Sequence, residues 1–506
     1  MLTNLKALVV VLALAWTVFF LARPLCLQYM SAAALARRRN VWFALTIVAF
    51  ITPTFWAYGL FALILLAWAG ARDENPLALY VLVTFTVPNA SFFIPTFLVN
   101  QLFDLTQYRI LSLVIIIPAM VRGWSGSLQS GEGKLKPADW FLLAFLLLQV
   151  AVQFPYESIT AVMRRSFLLA IDTFVLFYAF SRLASKQQLS DVVASFWLAC
   201  AVMAPIAVFE WAKGWHLYTG LSSLWGDPNI FAYIMRGGGL RAQAAANHSL
   251  NLGYLLAVGL AFFLYMRHRS QRALFDWLAI AVISVALFTT GSRAAWIMAV
   301  LVALIFATFR PGAAQKLARA AAVGAAVVAL MYFTPLKEAV IDRLPVIGKT
   351  DQDTVDYRQQ LYNVSIPLIW QNPFFGDPFV ARNMESLRQG QGIIDIVNGY
   401  LFTALFYGLV GLFLQMAALL TAFCKAGRTM WRARADDHSA GLLGAALVAA
   451  FVGSLLFIAT GNFGATTYVL AGLLLSYAQC VARELSVART PARVTPPSTM
   501  RARTLA

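Results

Sequence analysis

Apolar runs of membrane-crossing length recur along most of this chain, separated by short polar gaps. They fall near residues 5–22, 41–69, 76–88, 108–122, 138–154, 162–183, 190–212, 245–267, 273–290, 292–309, 317–333, 397–424, 439–460 and 463–482. At 1.5 Å per residue, about 20 apolar residues cross a hydrocarbon core of about 30 Å, so the pattern predicts an all-α polytopic membrane protein. Pro53 interrupts the second run, which is then one kinked helix or two short ones. The expected count is therefore roughly 12 to 14 crossings, with the N-terminal orientation left open. The first run, from Leu5 to Leu21 with Lys6 at its start, has the look of a signal peptide but reads more simply as an uncleaved first helix.

One long stretch breaks the pattern. From Phe333 to Val397 the chain turns polar and collects Asp342, Arg343, Asp351, Asp353, Asp356, Arg358, Trp370, Asn372-Pro-Phe-Phe-Gly376, Arg382, Glu385, Arg388 and Asp395. A polar segment anchored at both ends by membrane helices is a natural place for binding or chemistry. The organisation that follows is an N-terminal helical part (1–333), a loop or lid (334–396), C-terminal helices (397–482) and a disordered tail (483–506) rich in Pro, Arg, Thr and Ser.

Composition narrows the class. The 506 residues are 60% hydrophobic and 12% charged, with a net charge of +17. The basic residues sit in short clusters between apolar runs, so they read as topology signals and not as a nucleic-acid footprint. Arg267, Arg269 and Arg272, then Arg310, Lys316 and Arg319, then Lys425, Arg428, Arg432 and Arg434 occupy alternate gaps, which the positive-inside rule assigns to the cytoplasm. The outward gaps then hold residues 214–247, the turn Thr290-Gly-Ser-Arg293, the long polar stretch and Gly461-Asn462. Extending the alternation backwards puts Arg164 and Arg165 outside, against the usual bias. Arginine near hydrocarbon needs to snorkel or to have an anionic partner. Cys26, Cys200, Cys424 and Cys480 show neither disulfide nor zinc spacing and read as packing residues.

Arg241 and Arg293 stand at the outer starts of two helices, where unpaired N–H groups and the helix dipole already favour an anion. Two guanidiniums there suit a diphosphate, since each offers planar bidentate donors; each also has the option of snorkelling to lipid headgroups. In the polar stretch Asp356, Arg358, Trp370, Glu385, Arg388 and Asp395 are candidates for sugar and phosphate contacts, set against a plain solvated loop pinned by Trp370 and Phe374. Glu210 is a second carboxylate candidate, and His248 is either a base or a cap. Asp172 lies inside an apolar run, where an ionisable group is a functional candidate by default.

At these residues the chain resembles the O-antigen ligase and polysaccharide polymerase superfamily, over roughly residues 236–411. The resemblance rests on Arg241 ahead of Asn247-His248 and Gly253, on Gly291-Ser292-Arg293, on Tyr357-Arg358 followed by Trp370 and Asn372-Pro-Phe-Phe-Gly376, and on Asn398-Gly-Tyr400-Leu401 leading to Gly408-Leu-Val-Gly411. It implies a GT-C-like membrane fold with one large periplasmic loop in the bacterial inner membrane. It also implies an undecaprenyl-diphosphate-linked glycan donor, inversion at the transferred sugar, and neither metal nor other cofactor. Arg241 and Arg293 would hold the donor diphosphate with Arg358 and Arg388; Trp370, Asn398, Tyr400 and His248 would contact glycan. Ligases of this group present a His-Asn pair where this chain has Val397-Asn398, leaving Asp395 or Glu210 as the catalytic carboxylate. That departure favours a polymerase joining two lipid-linked repeat units, working beside membrane lipids and alongside a flippase and a chain-length regulator. A ligase to lipid A-core is the alternative. A transporter of lipid-linked oligosaccharide accounts better for Asp172, but the candidates crowd the outer helix ends and no internal repeat is visible.

Overall fold

Pro53 ends the second apolar run instead of kinking it. In the computed structural model, which describes residues 2–86, 90–93, 104–122, 134–226, 235–236, 239–309, 315, 352–389 and 392–489, the run resolves into α2 (Ala32–Ile51) and α3 (Phe55–Arg72). Ser31 and Thr54 cap them by accepting from the backbone N–H of Ala34 and Ala57. The other elements before the polar stretch are α1 (Leu2–Cys26), α4 (Pro76–Val83), α5 (Gln107–Leu111, helical on to 122), α6 (Pro137–Gln153), α7 (Ile159–Leu169), α8 (Leu176–Phe180), α9 (Lys186–Lys213), α10 (Gly220–Trp225), α11 (Ser249–Met266), α12 (Ala273–Thr289) and α13 (Arg293–Thr308). After them come α14 (Gln352–Gln371), α15 (Gly399–Asp436), α16 (His438–Ile458) and α17 (Ala465–Arg489). Among the described residues eight helical segments are long and apolar enough to cross a membrane, with α12 and α13 as shorter apolar partners. The expected helix over 317–333 lies outside the described residues, as do Asp342, Arg343 and Asp351.

Helices α9, α11, α16 and α17 form the buried centre. Small residues let them close up: Gly259 of α11 faces Cys200 of α9, Gly453 of α16 faces Met298 and Val302 of α13, and Gly472 of α17 faces Phe177 and Phe180 of α8. Such close backbone approach is how helices gain contact where lipid removes the hydrophobic difference between inside and outside. Helices α1, α3 and α6 are outer elements that expose Val9, Phe20, Leu60, Ile64 and Leu147.

Cross-contacts tell the two ends of the bundle apart. At one end Asn4 donates to the Gly220 carbonyl (3.3 Å) and the Trp225 indole donates to Thr52 (3.3 Å). At the other, Arg269 donates to the Gln28 carbonyl (3.2 Å) and Tyr29 to Met266 (3.1 Å). This second end is the basic one. It also holds a fully buried Arg38, paired with Asp73 (2.7 Å) and Asp191 (2.6 Å), which ties α2 and α9 to the start of α4.

The described part of the polar stretch, residues 352–389 and 392–397, contains regular structure. Helix α14 and a 3-10 segment over Val380–Leu387 pack Leu361, Ile369, Val380, Met384 and Leu387 against Leu401, Ala404 and Leu405 of α15, giving a small core separate from the main one. Helix α15 is broken at Gly408 (φ 66°, ψ −174°), and the turn Asn372–Gly376 sits in the break. Leu409 and Val410 donate to the carbonyls of Pro373 (2.7 Å) and Phe374 (3.2 Å), while Asp377 donates to Leu405 (2.9 Å). The turn thus supplies the partners that the interrupted helix lacks.

Candidate functional site

A cavity of about 460 Å³ opens at the end of the bundle that carries Asn4 and Gly220. Its walls come from Tyr80 and Thr84, Tyr108, the start of α11 (His248, Asn251, Tyr254), Asp395 and Val397 just before α15, and the turn from Phe457 to Thr467. Two distant predicted residues, His248 and Asp395, therefore share one space. Tyr80, Tyr108, Asn251, Asn462 and Thr467 join them, and the sequence reading did not single these out as site residues. Asn251 lay within a quoted motif and Asn462 in a predicted outward turn; the tyrosines carried no signal beyond sitting at the edges of apolar runs.

Each group reaches the cavity for a local reason. Tyr357 of α14 holds Asp395 by its backbone, donating to its carbonyl (3.0 Å) and accepting from its N–H (3.1 Å). Burial holds the Asp395 carboxyl above its ordinary range, and the charge of Arg358 opposes that rise. The Tyr357-Arg358 pair thus fixes one carboxylate by shape and by charge. His248 caps α11, its Nδ1 accepting from Leu250 N–H (3.1 Å), so the proton of the neutral ring resides on Nε2. Burial and the nearby Arg241 hold its pKa below the usual value.

Arg241 and Arg293 meet at one turn. The Nε of Arg241 donates to the Thr290 carbonyl (2.9 Å), and its side chain packs over Gly291, where a Cβ would come within 3.3 Å of Nε. Arg293 is the first residue of α13, whose N-cap Ser292 accepts from Ala295 N–H (3.3 Å). The start of α11 packs on the same turn, Gly253 facing Thr290, Ser292 and Ala295. Arg241 lies within electrostatic reach of His248, so the turn can hold an anion next to the histidine, although neither Arg241 nor Arg293 is among the residues that line the cavity.

Other predicted residues take different places. Glu210 does not line the cavity: it is fully buried, with its oxygens accepting from the N–H groups of Leu217 (3.0 Å), Gln243 (3.0 Å) and Ala244 (2.9 Å) and facing His216 (3.3 Å). A carboxylate so occupied positions the strand of chain that follows Arg241; it is not placed to take a proton from substrate. Arg388 is gripped by Glu385 in a bidentate pair (2.6 Å to each oxygen) and by the Gly392 carbonyl, away from the cavity. That contact holds the Glu385 carboxyl below its ordinary range. Asn398 caps α15 through Tyr400 and Leu401 N–H, and Tyr400 donates to the Leu455 carbonyl (2.6 Å). Trp370 is largely exposed at the end of α14. Among the described residues no group of three His, Cys, Asp or Glu side chains is set to hold a metal ion.

Residues 277–416 match a protein family described as O-antigen ligase. The match runs from α12 through the Gly291–Arg293 turn, α14 and the cap to the broken start of α15, and so includes Arg293, Arg358, Asp395 and the Gly408 break. No curated protein matches the chain.

Proposed function

We propose, from the match of residues 277–416 to the O-antigen ligase family and from the geometry of the cavity, that this chain polymerises undecaprenyl-diphosphate-linked oligosaccharide repeat units. The observation that carries the reading is the cavity shared by Asp395 and His248, with Arg241 of the neighbouring 290–293 turn within electrostatic reach of His248. An acceptor hydroxyl gives its proton to Asp395 as its oxygen attacks the anomeric carbon of the donor sugar. The bond from that carbon to the diphosphate oxygen breaks, its electron pair leaves with undecaprenyl diphosphate, and the configuration inverts. Arg241 and Arg293 offset the charge that develops on the leaving group, with no metal in the step. His248, kept neutral, contacts the sugar from the opposite wall. The positive-inside rule places the basic end in the cytoplasm and this cavity at the periplasmic face of the inner membrane.

The apolar Val397 on the cavity wall supports polymerase over ligase, since the ligase pattern has histidine there. In purified protein given lipid-linked repeat units, Arg241→Ala is expected to cut chain extension by at least about 100-fold, the usual effect of removing one preorganised donor. Expression and membrane insertion should be unchanged. Near-normal product length from that variant would sink the proposal, whereas transfer of finished chains to added lipid A-core without chain extension would favour the ligase.

A further inference from the structure

Asp172 and the arginine pair Arg164-Arg165 have no part in the mechanism above, yet the fold builds a polar site from them. Asp172 pairs with Arg109 (2.6 Å), and Arg109 in turn binds Asp104 (2.6 Å). Both helices change their winding here: Ser112–Ile116 and Ala170–Val175 are π-helical turns, and they pack against each other. Such single-turn widenings inside α-helices occur often at functional sites, because they re-aim one side chain out of the regular stripe. Asp172 lies on the second of them.

The re-aimed carboxylate opens into a groove of about 270 Å³ along α7, bounded by Glu157, Arg164, Arg165 and Asp172 over a floor of Leu168 and Leu169. Arg165 pairs with Glu157 (2.6 Å) and also bonds Tyr407, the residue just before the Gly408 break. With 36% of its side chain exposed, Asp172 presents a charged, hydrogen-bonding edge to whatever occupies the groove. Ile159 and Met163 of the same helix are exposed apolar residues, so an empty groove would set this carboxylate near lipid, which is costly. The groove and the cavity share no lining residue, but Asp172 at the groove's edge acts electrostatically on a residue of the cavity wall. Tyr80 lines the cavity and lies within electrostatic reach of Tyr108 and Asp172, and Tyr108 precedes Arg109 in the chain.

We propose that the groove between Glu157, Arg164, Arg165 and Asp172 is a second glycan subsite, seating the sugar of the acceptor while the Arg109–Asp172 pair forms the partition from the donor cavity. Carboxylates that accept from hydroxyls alternate here with guanidiniums that donate to them, over an apolar floor: a polyhydroxyl ligand satisfies both kinds of group. An anionic lipid headgroup would meet two carboxylates as well as the arginines. The proposal rests on the reading that the chain handles two lipid-linked glycans at once.

Full-length protein in nanodiscs distinguishes the two levels. The probes are the repeat-unit oligosaccharide released from its lipid, undecaprenyl diphosphate without sugar, and phosphatidylglycerol. Asp172→Asn and Glu157→Gln are each expected to weaken oligosaccharide binding about tenfold, the loss of one charge-assisted hydrogen bond. Binding of undecaprenyl diphosphate should stay unchanged in both, while Arg241→Ala should lose undecaprenyl diphosphate and keep the free oligosaccharide. Wild-type oligosaccharide affinity in the groove variants overturns the subsite, as does a loss confined to phosphatidylglycerol. Retention of undecaprenyl diphosphate by Arg241→Ala overturns the donor site and leaves the groove standing. Glu157 stands in the link before α7, outside the helix that carries Asp172, so if Asp172→Asn fails to fold, Glu157→Gln decides the matter.

Discussion

Asp395 carries its burden through two neighbours that act on it differently. Tyr357 fixes the backbone, and Arg358 pulls the carboxyl down against the burial that raises it. A general base works while ionised, so kcat/KM should fall as pH drops through the raised pKa, with an acid limb above the ordinary carboxylate value of about 4. Arg358→Gln removes the opposing charge and should move that limb to still higher pH. Asp395→Asn should erase the limb and lower the rate by about 100-fold or more. A pH profile of repeat-unit extension measures all three, and a limb that stays put in Arg358→Gln would separate Asp395 from proton transfer. Residue types were legible in the sequence to an uneven degree. Arg241 and Arg293 stood out because charge at the start of an apolar run is conspicuous. Glu210 stands out as a carboxylate at the outer end of an apolar run, but the letter does not say whether a carboxylate faces a cavity or, as here, three backbone N–H groups. Tyr80 and Tyr108 blend into apolar runs, and only the packing of α4 on the π-helical turn Ser112–Ile116 that continues α5 turns them into a cavity wall.

At the scale of elements, two of the signatures behind the resemblance prove to be halves of one joint. Asn372-Pro-Phe-Phe-Gly376 and Gly408-Leu-Val-Gly411 meet where the turn enters the break in α15, and both central glycines are needed. A Cβ on Gly376 would lie 2.5 Å from the Leu405 carbonyl oxygen, and one on Gly408 would lie 2.2 Å from that of Phe374. Gly408 also has a backbone conformation close to one that only glycine adopts readily, worth on the order of 1–3 kcal/mol of strain to any other residue. Gly408→Ala should therefore undock the turn, lower the melting temperature in detergent, and speed proteolysis between Asn372 and Asp377; an unchanged cleavage rate would count against the joint. Both motifs are visible in the sequence but their mechanical link is not, since the partners are 32 residues apart at their glycines. The sequence also reads as a loop where α14 stands. The buried positions Leu361, Ser365 and Ile369 repeat every four residues, yet the polar residues between them masked that helical period.

Taken as a whole, the molecule shows which helix ends share a side, a relation that hydropathy leaves open. Helix α1 has 25 residues, enough at 1.5 Å each to cross about 30 Å, and each of its ends is tied to an element of known polarity. Its start meets Gly220, and the link that follows its end receives bonds from Arg269 and Gln187. The start of α1 therefore lies at the end of the bundle that holds the His248–Asp395 cavity, opposite the clusters Arg37–Arg39 and Arg267–Arg272. With the basic end in the cytoplasm, as the positive-inside rule expects, the start of α1 is expected to face the periplasm. The buried Arg38 reinforces it: paired with Asp73 and Asp191, that guanidinium locks α2 and α9 in one relative direction, and separating them would leave a charge unpaired at a cost of about 3–5 kcal/mol. Cysteine labelling reads this directly. Of the four native cysteines only Cys424 is exposed, so in a Cys424→Ser background Leu2→Cys should react with a membrane-impermeant maleimide supplied from the periplasmic side, and Gln271→Cys should react only after the inner membrane is opened. The reverse pattern would invert the bundle and move the cavity to the cytoplasm, away from any periplasmic glycan. Equal labelling of both would mean that α1 does not cross, and the bonds from Asn4 to Gly220 and from Arg269 to Gln28 could not then exist in one molecule.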